Sequence, residues 1–435
     1  MGIVKQRIVQ TTGYMRRNGV KNTVFAVCER LFDAPNETYS YSEPLETDLA
    51  RQRVRQYENP VKVSIVVPAY KTSDRFFTEL IESVVAQTYP YWELVIGDVV
   101  SECSESHRKI VESFNDERIV YFDIDTNYGI SENTNITMGR ATGEYIGLLD
   151  HDDVLTPDAL YYMVKCLNRN INKDPILIYS DEDKTDAELK SFYEPHRKRK
   201  LNLDLILSNN YICHFTMIKA DVIKELKFRK EYDGAQDYDM FLRCIAMDIY
   251  GERIFHVPKI LYHWRCHENS TASNVNSKDY AYDSGRRAVL DFCNNNNWKV
   301  SVEETMHKGF HRLEYLPDIF ANRKSVGAVC GPVYAHGKVL SGVLMADGTC
   351  PYKGLNRHYS GYMHRASLMQ KTFAGDIRNI VVRDELSSFF KDVTEGLSET
   401  SDEKEIIEAS IRFASGIRER GYYIVYDPQL KGVSL

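Results

Sequence analysis

Short apolar segments alternate with helix-forming segments from residue 63 onward, and this alternation restricts the fold more than any other feature of the sequence. Residues 63–67 are mostly β-branched and are followed by Pro68, as is typical of a buried parallel strand. Residues 76–85 then carry apolar side chains at helical spacing. The pattern repeats, with strands predicted at 92–96, 119–122, 145–149 and 176–179. Such alternation predicts an α/β fold, with a mainly parallel central sheet flanked by helices.

Size, charge and cysteine content exclude several classes of protein. The 435 residues suggest two or three domains. Against 62 Asp and Glu, the 55 Lys and Arg give a net charge of −7, so we expect no nucleic-acid partner. The nine cysteines form no C-x-x-C pair, and neither a signal pattern nor a membrane-length apolar run occurs. These features predict a cytoplasmic protein.

The N-terminal segment 1–31 differs in charge from the rest of the chain. It contains six Lys and Arg against the single acid Glu29, a local charge of +5, with Ile8, Met15, Val24 and Leu31 interspersed. Two interpretations follow from this composition. The segment is either a surface helix packed on the body of the protein or a basic amphipathic helix that lies on an anionic membrane.

The residues that follow the predicted strands are the candidates for function, because ligands of such sheets bind beyond the carboxyl ends of the strands. No G-x-G-x-x-G motif follows the first strand and no P-loop motif occurs, which argues against the usual dinucleotide and P-loop sites. The candidates are Pro68 and Tyr70 after the first strand, Asp98 at the end of the second, Asn127 and Gly129 after the third, and the run Asp150-His151-Asp152-Asp153 after the fourth.

Three carboxylates lie within four residues in the run 150–153. They repel one another unless a cation or hydrogen-bond donors neutralise them, and their oxygens suit Mg²⁺ or Mn²⁺ that bridges a diphosphate. The alternative is an acidic turn that caps the helix beginning near Pro157. We favour the metal site, since a cap needs only one carboxylate.

Two later segments also carry reactive side chains. Asp237 begins a predicted helix, where its carboxylate either caps that helix or serves as a general base, and the pattern favours neither. The segment 261–270 contains Arg265, suited to a diphosphate, and His267, suited to a metal. Its alternative is a packed loop with ordinary polar groups.

Six motifs taken in order resemble a known enzyme family. They are V-S-I-V-V-P-A-Y at 63–70, N-Y-G-I-S at 127–131, G-E-Y-I-G-L-L-D-H-D-D at 143–153, Y-S-D-E-D-K at 179–184, Q-D-Y-D at 236–239 and Y-H-W-R at 262–265. Over about residues 60–275 the chain resembles family 2 glycosyltransferases with the GT-A fold, especially the bacterial rhamnosyltransferase-like branch that builds surface polysaccharides.

The resemblance implies a Rossmann-like GT-A sheet and a role for each candidate residue. For the nucleotide, it implies that Pro68 and Tyr70 hold the nucleobase, Asp98 accepts from the pyrimidine ring N–H, Asn127 and Gly129 line the pocket, and Asp150 lies near the ribose. For the reaction, it implies that Asp152 binds Mn²⁺ or Mg²⁺ and that Asp237 is the general base of an inverting displacement. Arg265 and His267 would assist with the diphosphate or the metal.

Some positions depart from the family pattern or stay open within it. Gln236 stands where many relatives have Glu, and Gly97 where a second acid is common. Asp181 or Asp183 either reaches the acceptor sugar or lies in an exposed acidic loop. We expect only a structural or acceptor-side role for the motif N-N-Y-I-C-H at 209–214.

We predict four regions along the chain. They are a basic helical extension at 1–59, the GT-A catalytic domain at 60–275, a helical connector at 276–309, and a smaller α/β module at 310–435. Segments 325–334 and 346–349 of that module resemble part of a second transferase-like domain. It lacks an Asp-x-Asp motif, so we expect no chemistry of its own there.

These features together predict an inverting glycosyltransferase. It would move rhamnose or a hexose from a dTDP- or UDP-sugar to a hydroxyl of a growing cell-surface polysaccharide or lipid-linked glycan. A peripheral contact with the inner face of the cell membrane agrees with the basic N-terminal segment. The alternative is a transferase-like subunit that has lost turnover and acts as a scaffold of a polysaccharide assembly complex.

Overall fold

The computed structural model describes residues 2–32, 39–267, 278–398 and 401–435. Its helices are α1 (Gly2–Phe32), α2 (Glu46–Arg53), α3 (Asp74–Val85), α4 (Ser104–Phe114), α5 (Ile130–Met138), α6 (Ala159–Arg169), α7 (Leu203–Ser208), α8 (Ala220–Leu226), α9 (Gln236–Ala246), α10 (Lys278–Asn295), α11 (Ile319–Asn322), α12 (Ser387–Thr394) and α13 (Glu403–Glu419).

The strands of the first part of the chain are β1 (Val63–Ala69), β2 (Trp92–Val99), β3 (Ile119–Ile124), β4 (Tyr145–Leu148), β5 (Val154–Leu155), β6 (Leu177–Asp186), β7 (Phe192–His196), β8 (Thr216–Lys219) and β9 (Ile254–Cys266). Those of the second part are β10 (Val300–Glu304), β11 (His311–Tyr315), β12 (Val326–Cys330), β13 (Val333–Ala335), β14 (Lys338–Ser341), β15 (Val343–Leu344), β16 (Gln370–Thr372), β17 (Ala374–Gly375), β18 (Ile380–Val382), β19 (Tyr423–Tyr426) and β20 (Val433–Ser434).

Contacts divide the chain into two units. The larger unit comprises Thr38–Leu201 and Asn210–Phe292, and the smaller unit comprises Met1–Glu37, Asn202–Asn209 and Cys293–Leu435. The domain boundaries near residues 60, 275 and 310 stay predictions. Part of the N-terminal extension and all of residues 268–277 lie outside the described residues.

The larger unit is built on one mixed sheet with the strand order β3-β2-β1-β4-β8-β6-β9-β5, and β7 pairs with β6. The strands β3, β2, β1 and β4 are parallel, as their apolar sequences predict. Beyond them β8 is antiparallel to both β4 and β6, and β6 is parallel to β9. The α/β fold class is therefore confirmed, but only half of the sheet is uniformly parallel.

Local sequence explains the first βα unit. All but one residue of β1 is buried, which agrees with its run of apolar, β-branched side chains. Ser73 caps α3 by accepting a hydrogen bond from the backbone N–H of Phe76 at 3.3 Å. The apolar face of α3 buries Phe77 and Leu80 in the main core of the unit. This packing fixes the loop at the carboxyl end of β1.

The smaller unit contains a four-stranded sheet with the order β16-β19-β12-β18. Phe413 and Ile417 of α13 are fully buried in a core that also contains Ala328 of β12 and Ile424 of β19. Helices and strands are therefore both present after residue 310, while the bounds of a separate C-terminal module stay a prediction. Among the residues that the structure describes, no helix is both long enough and apolar enough to cross a membrane.

Candidate active site

Hydrogen bonds join the carboxyl ends of β1, β2 and β4. Asp98 Oδ2 accepts from His107 Nδ1 and from the Tyr121 hydroxyl, each at 2.8 Å. The other ring nitrogen of His107 donates to the Thr72 carbonyl at 2.9 Å, and the Thr72 hydroxyl contacts His151 Nδ1 at 2.9 Å. Burial disfavours the charged form of His107, but the hydrogen bond to Asp98 raises its pKa. Asp98 is fully buried, and its Oδ1 has no partner among the described residues.

Pro68 and Tyr70 lie beside this network. Pro68 is paired with Gly97 of the neighbouring strand, and Tyr70 is 40% exposed just after β1. Lys71 Nζ lies 5.6 Å from the centre of the Tyr70 ring. The exposed ring is therefore available to a planar ligand.

The loop after β3 is held in place by amide and hydroxyl groups. Asn127 Oδ1 accepts from the backbone N–H of Gly129 at 3.0 Å and from Asn133 Nδ2 at 2.9 Å. Gly129 has a φ of +95°, and a Cβ there would lie 2.7 Å from Asp233 Oδ2, so the position favours glycine. Asp233 in turn accepts from the Ser131 hydroxyl at 2.5 Å. These contacts tie the Asn127 loop to the segment that leads into α9.

Asp237 lies in the first turn of α9. Ala235 is the N-cap residue, so the cap interpretation of Asp237 is wrong. Its carboxylate instead accepts a hydrogen bond from Asn210 Nδ2 at 2.9 Å. Potential ligand atoms of Cys213, His214 and Asp237 all lie within 4.8 Å of one another. The Asp237 carboxylate is thus partly exposed beside an imidazole and a thiol.

His214 connects this cluster to Asp150. Its ring stacks on Tyr262 with centroids 4.8 Å apart, and its Nδ1 lies 3.2 Å from Glu182 Oε2. Its Nε2 lies 3.6 Å from Asp150 Oδ2. Burial alone would raise the pKa of Glu182, but the charge of Lys198 and the neighbouring imidazoles hold that pKa well below its ordinary value. Glu182 is therefore ionised, and the protonated Nδ1 of His214 donates to it.

Asp152 and His267 meet although they are far apart in sequence. His267 Nε2 and Asp152 Oδ2 are 2.8 Å apart, and both side chains are partly exposed. Burial raises the pKa of Asp152, but the hydrogen bond from His267 together with the charges of His151 and His267 outweighs burial, so the pKa is lowered. One carboxylate oxygen and one imidazole nitrogen at the mouth of the site are ligands that Mn²⁺ or Mg²⁺ accepts. The acidic run does not cap α6, whose N-cap residue is Asp158.

Asp153 has a structural position instead. It is fully buried, and it accepts from the Tyr262 hydroxyl at 2.5 Å and from the backbone N–H of Arg265 at 2.7 Å. Burial raises the pKa of Asp153 well above its ordinary value. It therefore fixes β9, and with it the segment that leads to His267.

Arg265 is buried beneath the site rather than lining it openly. Its Nη1 donates to Glu79, and its guanidinium carbon lies 4.3 Å from the centre of the Phe76 ring. Its Nε and Nη2 have no partner among the described residues. A buried donor without an acceptor is costly, so these two nitrogens are candidates to donate to an anionic group.

The three-residue cluster of Cys213, His214 and Asp237 is a poor fit for a hard cation. Burial raises the pKa of the Cys213 thiol well above its ordinary value, so it stays protonated at neutral pH. Mn²⁺ and Mg²⁺ prefer oxygen and imidazole ligands to a thiol. Asp152 and His267 instead offer a carboxylate oxygen and an imidazole nitrogen, which are the ligand types these cations prefer.

The interpretation of the acidic motif 179–184 as an exposed loop is wrong. Asp181 and Asp183 lie in the buried strand β6, not in an exposed loop. Asp181 accepts from His256 Nε2 at 2.7 Å, and Asp183 accepts from the Tyr39 hydroxyl and contacts His263 Nδ1, each at 2.5 Å. Both carboxylates therefore have hydrogen-bond partners within the larger unit, and a role at the acceptor sugar stays a prediction.

Sequence reasoning missed Glu182 and the importance of His214. A signal for Glu182 was present, because neighbouring residues of a strand point to opposite faces. If β6 had been extended through 179–184, Glu182 would have been placed opposite Asp181 and Asp183. His214 was included in the motif at 209–214 but carried no distinguishing pattern.

Part of the chain is similar to known proteins. The model of Glycosyl transferase family 2 matches residues 64–227. The putative colanic acid biosynthesis glycosyl transferase WcaA of Escherichia coli is 31% identical over 199 residues, which cover 45% of this chain and 68% of that protein.

Two longer relatives match a similar part of the chain. The uncharacterized protein y4gI of Sinorhizobium fredii is 39% identical over 54% of this chain, and the O-antigen biosynthesis protein RfbC of Myxococcus xanthus is 28% identical over 57%. The matches span only 26% and 19% of those two proteins. Among solved structures, S. aureus TarS 1–349 in complex with UDP-GlcNAc aligns with a TM-score of 0.44 at 19% identity, over 54% of this chain and 67% of that chain.

Proposed function

The chain belongs to glycosyl transferase family 2, and we propose that it is a metal-dependent inverting glycosyltransferase. In this proposal it moves rhamnose or a hexose from a dTDP- or UDP-sugar to a hydroxyl of a growing cell-surface polysaccharide or lipid-linked glycan. The names of RfbC and WcaA refer to O-antigen and colanic acid biosynthesis, which supports a polysaccharide acceptor. A rhamnosyltransferase-like branch belongs to the same proposal.

One observation carries the proposal. The Asp237 carboxylate clusters with His214, and His214 also lies near Asp150. Asp150 is two residues before Asp152, which pairs with His267. In this proposal the general base and the cation site are therefore near neighbours in the fold, with His214 beside Asp237 and Asp150. Transfer from a nucleoside diphosphate sugar requires this pairing, since a proton is removed on one side of the anomeric carbon and negative charge develops on the other.

We assign the nucleotide to the ends of β1, β2 and β3. The exposed ring of Tyr70, next to Pro68, would contact the base. Asp98 Oδ1, which lacks a partner among the described residues, would accept from the pyrimidine ring N–H. The loop of Asn127 and Gly129 would line the pocket, and Asp150 would bind near the ribose.

We assign a divalent cation, Mn²⁺ or Mg²⁺, to Asp152 and His267. When bound, it would supply positive charge that offsets the charge of the departing diphosphate. The two unpartnered nitrogens of Arg265 would donate to the same diphosphate.

Asp237 would act as the general base. The acceptor oxygen forms its bond to the anomeric carbon while its proton passes to the Asp237 carboxylate. The bond from that carbon to the diphosphate oxygen breaks, and its electron pair leaves with the nucleoside diphosphate. Attack opposite the leaving group inverts the configuration. Asn210 would orient the carboxylate through the hydrogen bond that it already donates.

A cytoplasmic location beside the membrane that carries such acceptors belongs to the same proposal. All nine cysteines are free thiols, which agrees with a reducing compartment.

The first test is nucleotide binding followed by transfer. We expect UDP or dTDP to raise the melting temperature of the full chain only with Mn²⁺, since a ligand of the native state stabilises it. Asp237→Asn should keep that shift but lower turnover by about 10²–10⁴-fold, because it removes the proton acceptor and preserves the shape.

Gln236→Glu is the matched control, since it changes the charge of the neighbouring residue and should retain transfer. Wild-type turnover in Asp237→Asn would remove Asp237 from the base role. If UDP, dTDP, GDP and their sugar conjugates all fail to shift the wild-type protein, the inactive scaffold becomes the better interpretation.

A further inference from the structure

The second half of α1 packs one of its faces against residues 358–361 of the same smaller unit. Gly19, with a φ of +77°, interrupts the helix, and residues 20–32 continue beyond it. Glu29 accepts from the backbone N–H groups of Ser360 at 2.9 Å and Gly361 at 2.6 Å. The Phe25 ring stacks on His358 with centroids 4.2 Å apart. The side of the helix that carries Phe25 and Glu29 is therefore occupied.

The opposite side is apolar and exposed to solvent. Val20, Val24, Val27 and Leu31 are 66%, 53%, 41% and 69% exposed, and we call them the apolar stripe. Their spacing of four, three and four residues places them in one row along the helix. A surface helix of a globular protein normally turns such a row toward the core, so this row requires another partner.

The charges around the stripe indicate what that partner is. Lys21 and Arg30 are exposed and lie along its two edges by helical spacing, and Arg16 is exposed just before Gly19. Glu29 is the only acidic residue of segment 1–31, and its carboxylate is bound to Ser360 and Gly361. A row of apolar side chains with a cationic rim matches an anionic lipid surface.

A second copy of the chain fits this surface less well. The spacing of the stripe is also that of a coiled-coil seam. Two copies paired along it would bring Lys21 and Arg30 of one helix against the same cations of the other, and like charges at those positions repel.

We propose that the apolar stripe of α1 inserts into the interface of a membrane rich in anionic phospholipid, with Lys21 and Arg30 in contact with the headgroups. The helix lies parallel to the membrane surface and does not cross it. This contact does not depend on the proposed transfer reaction, and the docked face of α1 stays on the smaller unit.

Vesicle sedimentation of the full chain tests the proposal. We expect binding to vesicles of phosphatidylglycerol and phosphatidylcholine, and little binding to phosphatidylcholine alone. The double variant Val24→Gln with Leu31→Gln should bind about tenfold more weakly or less, because it removes apolar area from the contact. Glutamine is a good helix former, and both positions are exposed, so the melting temperature should stay at the wild-type value.

The matched control is Leu45→Gln with Val54→Gln, two apolar residues of the larger unit that are 69% and 80% exposed. It should bind vesicles like the wild type. Lys21→Gln with Arg30→Gln should weaken binding to the anionic vesicles by about fivefold per cation and reduce its dependence on salt. These charge variants decide the question even if the stripe variant unfolds.

Three results would overturn the proposal. The first is a wild-type chain that does not bind the anionic vesicles, and the second is a stripe variant that folds and binds as tightly as the wild type. The third is a lipid-independent dimer in sedimentation velocity that the stripe variant dissociates, because that result assigns the stripe to a second copy.

Discussion

At the scale of single residues, His214 holds a charge between two carboxylates. Burial disfavours the charged imidazole, but the hydrogen bond to Glu182 and the charges of Asp150 and Asp153 raise the pKa of His214 to about 9. The ordinary pKa of histidine in an unfolded chain is about 6.5. The charged form therefore stabilises the folded protein fully below pH ~6.5, and this stabilisation is lost as the pH rises through about 9.

We predict that His214→Gln removes this part of the pH dependence. The difference in the free energy of unfolding between wild type and variant should be largest below pH ~6.5 and should shrink as the pH approaches 9. Denaturant titrations at several pH values measure this difference. Lys198, which lies 3.6 Å from Glu182, is present in both proteins, so its contribution to the difference cancels. His336→Asn, at an exposed site in the smaller unit, is the control. A pH-independent difference would mean that His214 is neutral in the folded protein.

Asp152 and Asp153 are adjacent, but we predict that removing their carboxylates affects stability and metal-dependent nucleotide binding differently. Asp153→Ala should destabilise the protein by about 3 kcal/mol, because it leaves the Tyr262 hydroxyl and the backbone N–H of Arg265 buried without an acceptor. Asp152→Ala should cost less than about 1 kcal/mol, but should abolish the Mn²⁺-dependent thermal shift with UDP or dTDP. An unchanged shift in Asp152→Ala would place the cation elsewhere.

At the scale of elements, the packing around Gly97 of β2 explains why glycine stands before Asp98 where a second acidic residue is common in the family. A Cβ at this position would lie 2.2 Å from Thr137 Oγ1 of α5 and 3.0 Å from Ile124 Cδ1. Thr137 is fully buried and donates to the Asn133 carbonyl at 2.7 Å, so it does not move aside easily. An acidic side chain has no room here, and α5 can approach the sheet closely.

We predict that Gly97→Ala destabilises the larger unit by about 1–3 kcal/mol through overpacking. Thr137→Ala removes the clashing oxygen, so the double variant should be less destabilised than the sum of the two single variants. Thermal or denaturant unfolding of the four proteins completes the cycle. Strict additivity would mean that α5 relaxes away from β2 without cost.

The strands that the sequence did and did not predict differ in how their polar groups are satisfied. The segments at β1 to β4 were predicted because their side chains are mostly apolar, and hydrophobic burial alone makes them strands. An exposed acidic loop was one of two interpretations of the motif Y-S-D-E-D-K, yet β6 continues to Asp186. Its carboxylates are buried because His256, His214 and His263 from other parts of the chain bind them.

In the candidate site, too, some residues could be predicted from the sequence and others could not. Asp150, Asp152 and Asp237 could be identified because each belongs to a motif in one stretch of sequence. The contact of Asp152 with His267 was anticipated only through the family resemblance, since 2.8 Å separates residues more than a hundred positions apart. The link from Glu182 through His214 to Asp150 depends on the register of β6, β8 and β9, which single-sequence periodicity does not determine.

At the scale of the whole molecule, the chain path is not a simple succession of domains. The segment Asn202–Asn209 interrupts the larger unit in sequence but belongs to the smaller unit. Within the smaller unit, Asp204 of α7 is paired with Arg323, and both side chains are 2% exposed. The Arg323 guanidinium also donates to the Tyr423 hydroxyl at 2.6 Å and to the Tyr315 hydroxyl at 3.1 Å. No local pattern predicts a contact across this separation in sequence.

We predict that Arg323→Met destabilises the smaller unit by about 3–5 kcal/mol, because it leaves the Asp204 carboxylate buried without its counter-charge. Adding Asp204→Asn should recover part of that loss, since no unpaired charge then remains. Scanning calorimetry of wild type, the single variant and the double variant measures both effects. The residues Leu205, Ile206 and Leu207 of α7 are also buried. If Arg323→Met melts like the wild type, then this apolar packing alone holds α7 in the smaller unit. A recovery in the double variant would instead show that the ion pair ties this inserted segment to the C-terminal part of the chain.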